Sequence, residues 1–295
     1  MEQFKVAIVA RIFNNLPVWV AQARGYFESE GLEVIVEILY GVANVTDAVA
    51  SGDADLGIGT PESVLSAAPA DDQIVIVGGN ARKLANGLIA RKGIDEIGQL
   101  VGGKVGVSHR LEGTALLVRE MLARHGLVAG RDYSFTEVGV ASARSKMLQE
   151  GTLDCALQTP PHKYLAEDSG HANLGDISDY VPDYQFTTLN VRRSFTRNRE
   201  KSLRGFLRGL ARATTWMTAE PEACVDLATR MLQIMADYAR RDYEHFRRQG
   251  SLTPDLALST PGMAMVERMM REAGTLMLDR SGVDSRIDLS FLPGH

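Results

Sequence analysis

Apolar positions in the first half of the chain fall into short blocks separated by helical stretches. Residues 5–10 form a brief apolar run, the mark of a strand buried on both faces. Pro17 opens a helical spacing carried by Val18, Ala21 and Tyr26, and Gly31 stops it. Residues 32–39 alternate apolar and acidic side chains, as a half-buried strand does. The pattern then predicts a helix over 46–51, a strand over 55–58, a helix over 61–68 and a buried strand over 74–77. From Gly93 the rhythm repeats: strand 104–107, helix 112–125, strand 133–138, helix 141–149, strand 155–158, helix 161–167. Such alternation predicts largely parallel sheets with helices on both faces. Beyond about Thr196 the spacing of Leu203, Phe206, Leu207, Leu210, Ala213, Thr214 and Met217 is helical. Residues 231–246 and 263–276 read as further helices.

The two strand-helix series superpose at one offset of 99 residues. Lys5-Val6-Ala7-Ile8 falls on Lys104-Val105-Gly106-Val107, and Gly31 falls on Gly130. Gly52, Asp55, Thr60 and Pro61 fall on Gly151, Asp154, Thr159 and Pro160. So many matches in one register point to an internal duplication. The expected architecture is α/β, two such lobes with a helical C-terminal region.

At 295 residues the chain fits about two domains and needs no staple to fold. Lys plus Arg is 32 against 37 Asp plus Glu, a net charge of −5, which argues against a nucleic-acid binder. Cys155 and Cys224 are its two cysteines, so a disulfide framework and a Cys-rich metal site are excluded. Apolar runs fall far short of the roughly 20 residues that span a bilayer, so no direct membrane insertion is expected. The first residues lack the features of a secretory signal. The expected location is periplasmic if a signal has been removed and cytoplasmic as the sequence stands.

Candidate chemistry gathers where strands give way to helices. Gly59-Thr60-Pro61-Glu62-Ser63 and Gln158-Thr159-Pro160-Pro161-His162 both read as a strand end, a Thr cap and a Pro-opened helix. Free N–H groups at such helix starts, beyond the carboxyl ends of strands, suit an anionic or polar ligand. The loop after the first strand carries Arg11, Asn14 and Asn15; its counterpart at 108–114 carries Ser108, His109, Arg110, Gly113 and Thr114. Arg11 and Arg110 share the 99-residue offset, and a guanidinium there can fork onto an anion. Asn44 and Thr46 follow the second strand. His109 and His162 lack metal-ligand spacing and are read as polar contacts, not as catalysts. Phe13 and Tyr40 are the aromatic candidates. Cys155 reads as a buried, inert thiol. The arginines from 192 to 212 read as a solvated helix face. There is no Gly-x-Ser-x-Gly elbow and no dinucleotide glycine fingerprint.

The wording of the chain resembles a solute-binding family. The segments are Pro17-Val18-Trp19-Val20-Ala21-Gln22-Ala23-Arg24-Gly25-Tyr26-Phe27, then Glu30-Gly31-Leu32-Glu33-Val34 and Val49-Ala50-Ser51-Gly52-Asp53-Ala54-Asp55. Gly102-Gly103-Lys104-Val105-Gly106-Val107 and Leu148-Gln149-Glu150-Gly151-Thr152-Leu153-Asp154 continue it, over about residues 5–225. The family is that of the alkanesulfonate, nitrate, taurine and thiamine-pyrimidine-precursor binding proteins of ABC importers. The resemblance implies a type II periplasmic-binding fold, with ligand in a cleft and crossover strands near 86–91 and 185–190. It implies lobe one over 1–88 plus 187–295 and lobe two over 89–186. One wall would carry Arg11, Asn14, Asn15, Asn44, Thr46, Thr60, Glu62 and Ser63. The other would carry Ser108, His109, Arg110, Gly113, Thr114, Gln158, Thr159 and His162.

The function implied is binding of a small polar or anionic molecule by hinge closure, with importer membrane subunits as partners. No cofactor, metal or nucleic acid is implied. The alternative is a cytoplasmic enzyme on the same scaffold, of desulfinase, decarboxylase or pyrimidine-precursor type, with His109, Glu112, His162 and Glu62 as its motive residues. The Cys-rich motif of the pyrimidine-precursor synthases is missing, and the reading leans away from an enzyme.

Overall fold

A computed structural model describes residues 1–67, 73–110, 113–277 and 282–294. Its strands are β1 (Glu2–Ile8), β2 (Leu32–Ile38), β3 (Leu56–Gly59), β4 (Ile74–Ala81), β5 (Gly87–Ala90), β6 (Gly103–Val107), β7 (Tyr133–Glu137), β8 (Cys155–Gln158), β9 (Asn173–Asp176) and β10 (Thr187–Arg192). The helices of the first two thirds are α1 (Leu16–Ala23), α2 (Val42–Ser51), α3 (Pro61–Leu65), α4 (Gly113–Ala123), α5 (Ala141–Gln149), α6 (His162–Asp168), α7 (Ile177–Tyr180) and α8 (Arg193–Asn198). The remainder are α9 (Glu200–Ala219), α10 (Pro221–Leu232), α11 (Ala236–Gln249) and α12 (Thr260–Ala273). The expected ends of the 61–68 and 112–125 helices, Ala68 and Glu112, lie outside the described residues.

The chain divides into two units, Met1–Lys83 with Tyr184–His295, and Leu84–Asp183. The sheet of the first unit runs β2-β1-β3-β10-β4. β1 pairs in parallel with β2 and β3, and β10 lies antiparallel between β3 and β4. The sheet of the second unit runs β7-β6-β8-β5-β9, with β5 antiparallel between β8 and β9. The segments expected as crossovers thus supply the antiparallel strand of each sheet.

The duplication is physical as well as verbal. Asp55 Oδ2 accepts the Lys5 N–H at 2.9 Å, and Asp154 Oδ2 accepts the Lys104 N–H at 2.7 Å. Gly52 and Gly151 both hold a positive φ (90° and 70°), the turn conformation that glycine alone adopts at little cost. Burial alone would raise the Asp154 carboxyl. The Lys104 N–H and the Arg91 guanidinium outweigh it and hold the group below the ordinary carboxylate value. A depressed folded pKa gives stability present above the unfolded value, about 3.9, and lost as pH falls through the folded one. Asp154→Asn should therefore cost about 1–2 kcal/mol at neutral pH. Urea titrations at stepped pH should show that gap to wild type closing below about pH 4. A gap unchanged down to about pH 2 would remove the charge from the account.

In the first unit, α9 lays Leu203, Phe206, Leu207, Leu210, Ala213 and Met217 against the sheet, all buried. Gly209 lets Phe27 approach: a Cβ there would sit 2.6 Å from the Phe27 ring. The arginines of the outer face are engaged with neighbours, Arg204 with Glu200, Arg208 with Glu30 and Arg212 with Ser29. The expected helix over 231–246 is instead two. Gln233 takes a left-handed φ of 58° after α10, and α11 begins three residues later. Apolar Met231, Leu232, Ile234 and Met235 around Gln233 keep a helical spacing that hides that break. Among the described residues no helix is long and apolar enough to cross a membrane.

Candidate functional site

At the carboxyl end of β1 the chain makes a tight turn through Phe13, Asn14 and Asn15, which places two amides inside the first unit. Both are 2% exposed. Asn15 Nδ2 donates to the Ala10 carbonyl at 3.0 Å, while Asn15 Oδ1 and Asn14 Nδ2 make no hydrogen bond. Asn80, at the end of β4, donates from Nδ2 to the Asn14 carbonyl (2.7 Å) and towards Thr187 Oγ1 (3.3 Å). Thr188, fully buried, stands opposite Gly59 of β3 and Gly79 of β4, and its hydroxyl is also unsatisfied. Buried polar atoms left unpaired cost about 1–3 kcal/mol each, so three on one edge of one sheet call for an explanation.

Glu62 follows β3 in the first turn of α3, is buried, and accepts the hydroxyl of Tyr184. Burial raises that phenol well above its ordinary value, and the neighbouring carboxylate raises it further. The hydroxyl therefore stays protonated and donates. Gln185 holds the start of the next strand: its Nε2 donates to the Ala81 and Thr187 carbonyls and its Oε1 accepts the Ser259 N–H.

Other expected residues of this wall have local partners. Arg11 donates to the Met231 carbonyl at 2.8 Å and lies over the Trp19 ring. Asn44 donates to the Tyr40 carbonyl, and Thr46 to the Val42 carbonyl within α2. Tyr40 is 69% exposed, whereas Phe13 is buried against Phe246. Thr60 stands at the N-cap position of α3 without a side-chain cap bond; Ser63 Oγ donates to its carbonyl instead.

In the second unit, Ser108 and Thr114 close the loop after β6 on each other: the Ser108 N–H and hydroxyl both meet Thr114 Oγ1, at 2.9 and 2.7 Å. Gly113 begins α4, and Leu111 and Glu112 lie outside the described residues. The Arg110 N–H donates to Glu137 Oε1, and its guanidinium and the His109 ring lie 3.7 and 3.9 Å from the same oxygen. Gln158 is fully buried, and its amide is satisfied with nitrogen facing the Ala141 carbonyl and oxygen facing the Ser145 N–H.

The expected match of Thr159-Pro160 to Thr60-Pro61 fails as a helix start. α6 begins at His162, with Pro161 in the N-cap position after a cis Pro160–Pro161 bond. A residue followed by proline is driven out of helical geometry, so Pro160 cannot open the helix as Pro61 does. His162 is half-buried, and burial together with the positive charge of Arg144 lowers its pKa, which keeps the ring neutral at pH 7. Cys155 is fully buried and burial pushes its thiol up, which leaves no thiolate at neutral pH.

Sequence reading missed Asn80, Tyr184, Thr187, Thr188 and Arg144. Asn80 lies at the end of β4, Thr187 and Thr188 open β10, and Tyr184 precedes β10 by three residues, on the same edge as Asn14 and Asn15. A polar residue closing the apolar run of β4 and the Gln-Phe-Thr-Thr lettering of residues 185–188 were the available signals.

Two five-stranded sheets in this order, each with one antiparallel strand between parallel neighbours, give the type II periplasmic-binding fold. The chain belongs to the family described as NMT1/THI5 like, whose profile matches residues 12–224. It is similar to YtlA of Bacillus subtilis, a protein named for a binding role, with 23% identity over 94% of this chain and 85% of that one. It is similar to a Saccharomyces cerevisiae 4-amino-5-hydroxymethyl-2-methylpyrimidine phosphate synthase, THI13, at 23% identity over 70% of this chain. That match spans 64% of the yeast enzyme, less than two thirds of its length. Among solved structures, the ligand-binding component of an ABC-type import system from Staphylococcus aureus covers 99% of this chain and 98% of its own. Its TM-score is 0.83 at 16% identity.

Proposed function

We propose that this protein is a non-enzymatic solute-binding protein for a small polar molecule. Its partners are the membrane subunits of an ABC importer, and it works outside the cytoplasmic membrane. The observation that carries this reading is the set of unsatisfied buried atoms Asn14 Nδ2, Asn15 Oδ1 and Thr188 Oγ1. An amide donor, an amide acceptor and a hydroxyl that can serve as either suit a polar solute with complementary groups. Such a solute would regain the hydrogen bonds that folding leaves unmade. Arg11, expected as an anion fork, donates one of its guanidinium N–H groups to the Met231 carbonyl. Likeness to the YtlA binding protein and to the Staphylococcus aureus import component supports the transport role.

A second reading, turnover on the same scaffold, draws on the likeness to the yeast synthase. Native mass spectrometry of the purified protein, followed by incubation with whatever it retains, separates the two. A ligand recovered chemically unchanged is the expected result. Conversion to product would transfer the chain to the enzymes. With a bound solute in hand, Asn15→Ala and Thr188→Val should each weaken affinity about ten-fold, the equivalent of one hydrogen bond. Wild-type affinity in both variants would remove this edge from the site.

A further inference from the structure

The chain passes between its two units at Lys83–Leu84 and again at Asp183–Tyr184. Inside the first unit, both connections are held by one stretch of chain between α11 and α12. The Arg82 N–H donates to the Ser251 carbonyl at 2.8 Å, and the Gly79 N–H of β4 donates to the Leu256 carbonyl at 2.7 Å. The Arg82 guanidinium donates to the Ala257 carbonyl from Nε at 3.1 Å and from Nη2 at 3.0 Å, and lies 3.4 Å from Asp255. At the far end of the stretch, the Ser259 N–H donates to Gln185 Oε1 at 2.9 Å. Gly262, in the first turn of α12, lies directly on the second connection. A Cβ there would stand 2.6 Å from the Tyr184 carbonyl carbon and 2.7 Å from the Gln185 nitrogen.

Covering a sheet edge explains only part of this. β4 ends its sheet, and an edge strand is commonly shielded by a passing segment. That purpose needs the Gly79 bond. It needs neither the Ser259 bond to a fully buried glutamine on the other connection nor a helix start pressed on the backbone of 184–185. The stretch also holds a strained residue. Leu256 takes a left-handed φ of 52°, which a bulky side chain rarely adopts. Such a conformation persists where the surroundings over-determine it. Leu256 is buried, its N–H donates to the Thr253 carbonyl at 3.2 Å, and its own carbonyl is taken by Gly79. The backbone is thus bent to fit both connections at once.

We propose that residues 251–262 are a clasp that couples the two connections, so that a displacement at either one is carried to the other. Arg82 is the hook on the first connection, and Gln185 with the backbone beside Gly262 is the hook on the second. The inference goes beyond the solute-binding reading and holds equally for a protein that converts its solute.

The test is residue-resolved amide hydrogen exchange on the full-length protein with no ligand added. Arg82→Ala removes side-chain hydrogen bonds that go to the clasp alone. It should speed exchange at Ser259, at the opposite end, about ten-fold, the scale of one charged hydrogen bond, and Arg82→Lys should recover part of the loss. Gly262→Ala should speed exchange at the Arg82 amide about ten-fold, although Gly262 lies on the other connection. Alanine suits a helix better than glycine, so a residue serving α12 alone would leave that amide unchanged or slower. Arg271→Gln, on an exposed α12 pair with Glu267, should exchange as wild type, and α9 should do so in every variant. If Gly262→Ala does not fold, Arg82→Ala decides alone. Wild-type exchange at Ser259 in Arg82→Ala, or at Arg82 in a folded Gly262→Ala, overturns the proposal, because each disturbance then stays at its own connection. Faster exchange throughout α9 as well also overturns it, since the effect is then a general loosening of the unit.

Discussion

Phe206→Ala will cost the first unit about 3–5 kcal/mol, the upper range for emptying an aromatic position in a core. Phe206 is fully buried on α9 and is stacked between two rings. Phe4 of β1 lies 4.8 Å away at 5° and Phe27 lies 5.0 Å away at 7°. Phe4 in turn meets Phe195 edge-on at 5.7 Å. The ring thus joins the first strand, the turn before β2 and the helix that covers both. Its removal loses transfer energy, leaves a cavity the stacked neighbours cannot fill without separating, and removes two ring pairs worth about 0.5–1.5 kcal/mol each. Both tryptophans, Trp19 and Trp216, belong to the first unit, so their fluorescence during urea unfolding reports on it directly. Phe206→Leu, which keeps most of the volume, should recover more than half of the loss. A fluorescence midpoint for Phe206→Ala within about 1 kcal/mol of wild type would mean that the stack contributes no more than an ordinary surface contact.

Much of the scaffold was legible because the forces that set it are local. The buried strands are short apolar runs, and β8 and α5 occupy the ranges their lettering predicts, Cys155–Gln158 and Ala141–Gln149. The 99-residue repeat was visible because a Gly turn and a returning Asp are needed wherever this unit is built. Errors fall where the deciding partner is distant or the local rule has a second clause. The Thr159-Pro160 step looked like Thr60-Pro61 until the next residue, Pro161, barred the helix from starting there. The hydrogen bond that Arg11 makes to the Met231 carbonyl, 220 positions away, was likewise invisible to local spacing. Arg144 looked like one more polar residue on a weakly patterned helix. Its burial is made by Leu157 and Gly139, which no spacing rule connects to it. Asn80 and Thr188 face the same site for a similar reason: they come from strands that meet only because β10 returns to pair with β4.

Asp176→Ala should be the most damaging single change in the second unit, at about 3–5 kcal/mol. Lys163, 4% exposed, directs its ammonium at Asp176 and forms no ion pair with another carboxylate among the described residues. Asp176 is further held by Asn173 Nδ2 at 2.9 Å, beside Gly87, whose missing side chain leaves room for both. Removing the carboxylate strands a buried ammonium, and the loss is set by the desolvation of that orphan more than by the attraction forfeited. Lys163→Met in the same background should therefore restore much of the stability, because it removes the charge and fills the space with an apolar chain. With no tryptophan in this unit, amide hydrogen exchange of β5, β8 and β9 is the appropriate readout. A double variant as unstable as Asp176→Ala alone would show that the carboxylate acts through Asn173 and the β9 turn, and not through the ammonium.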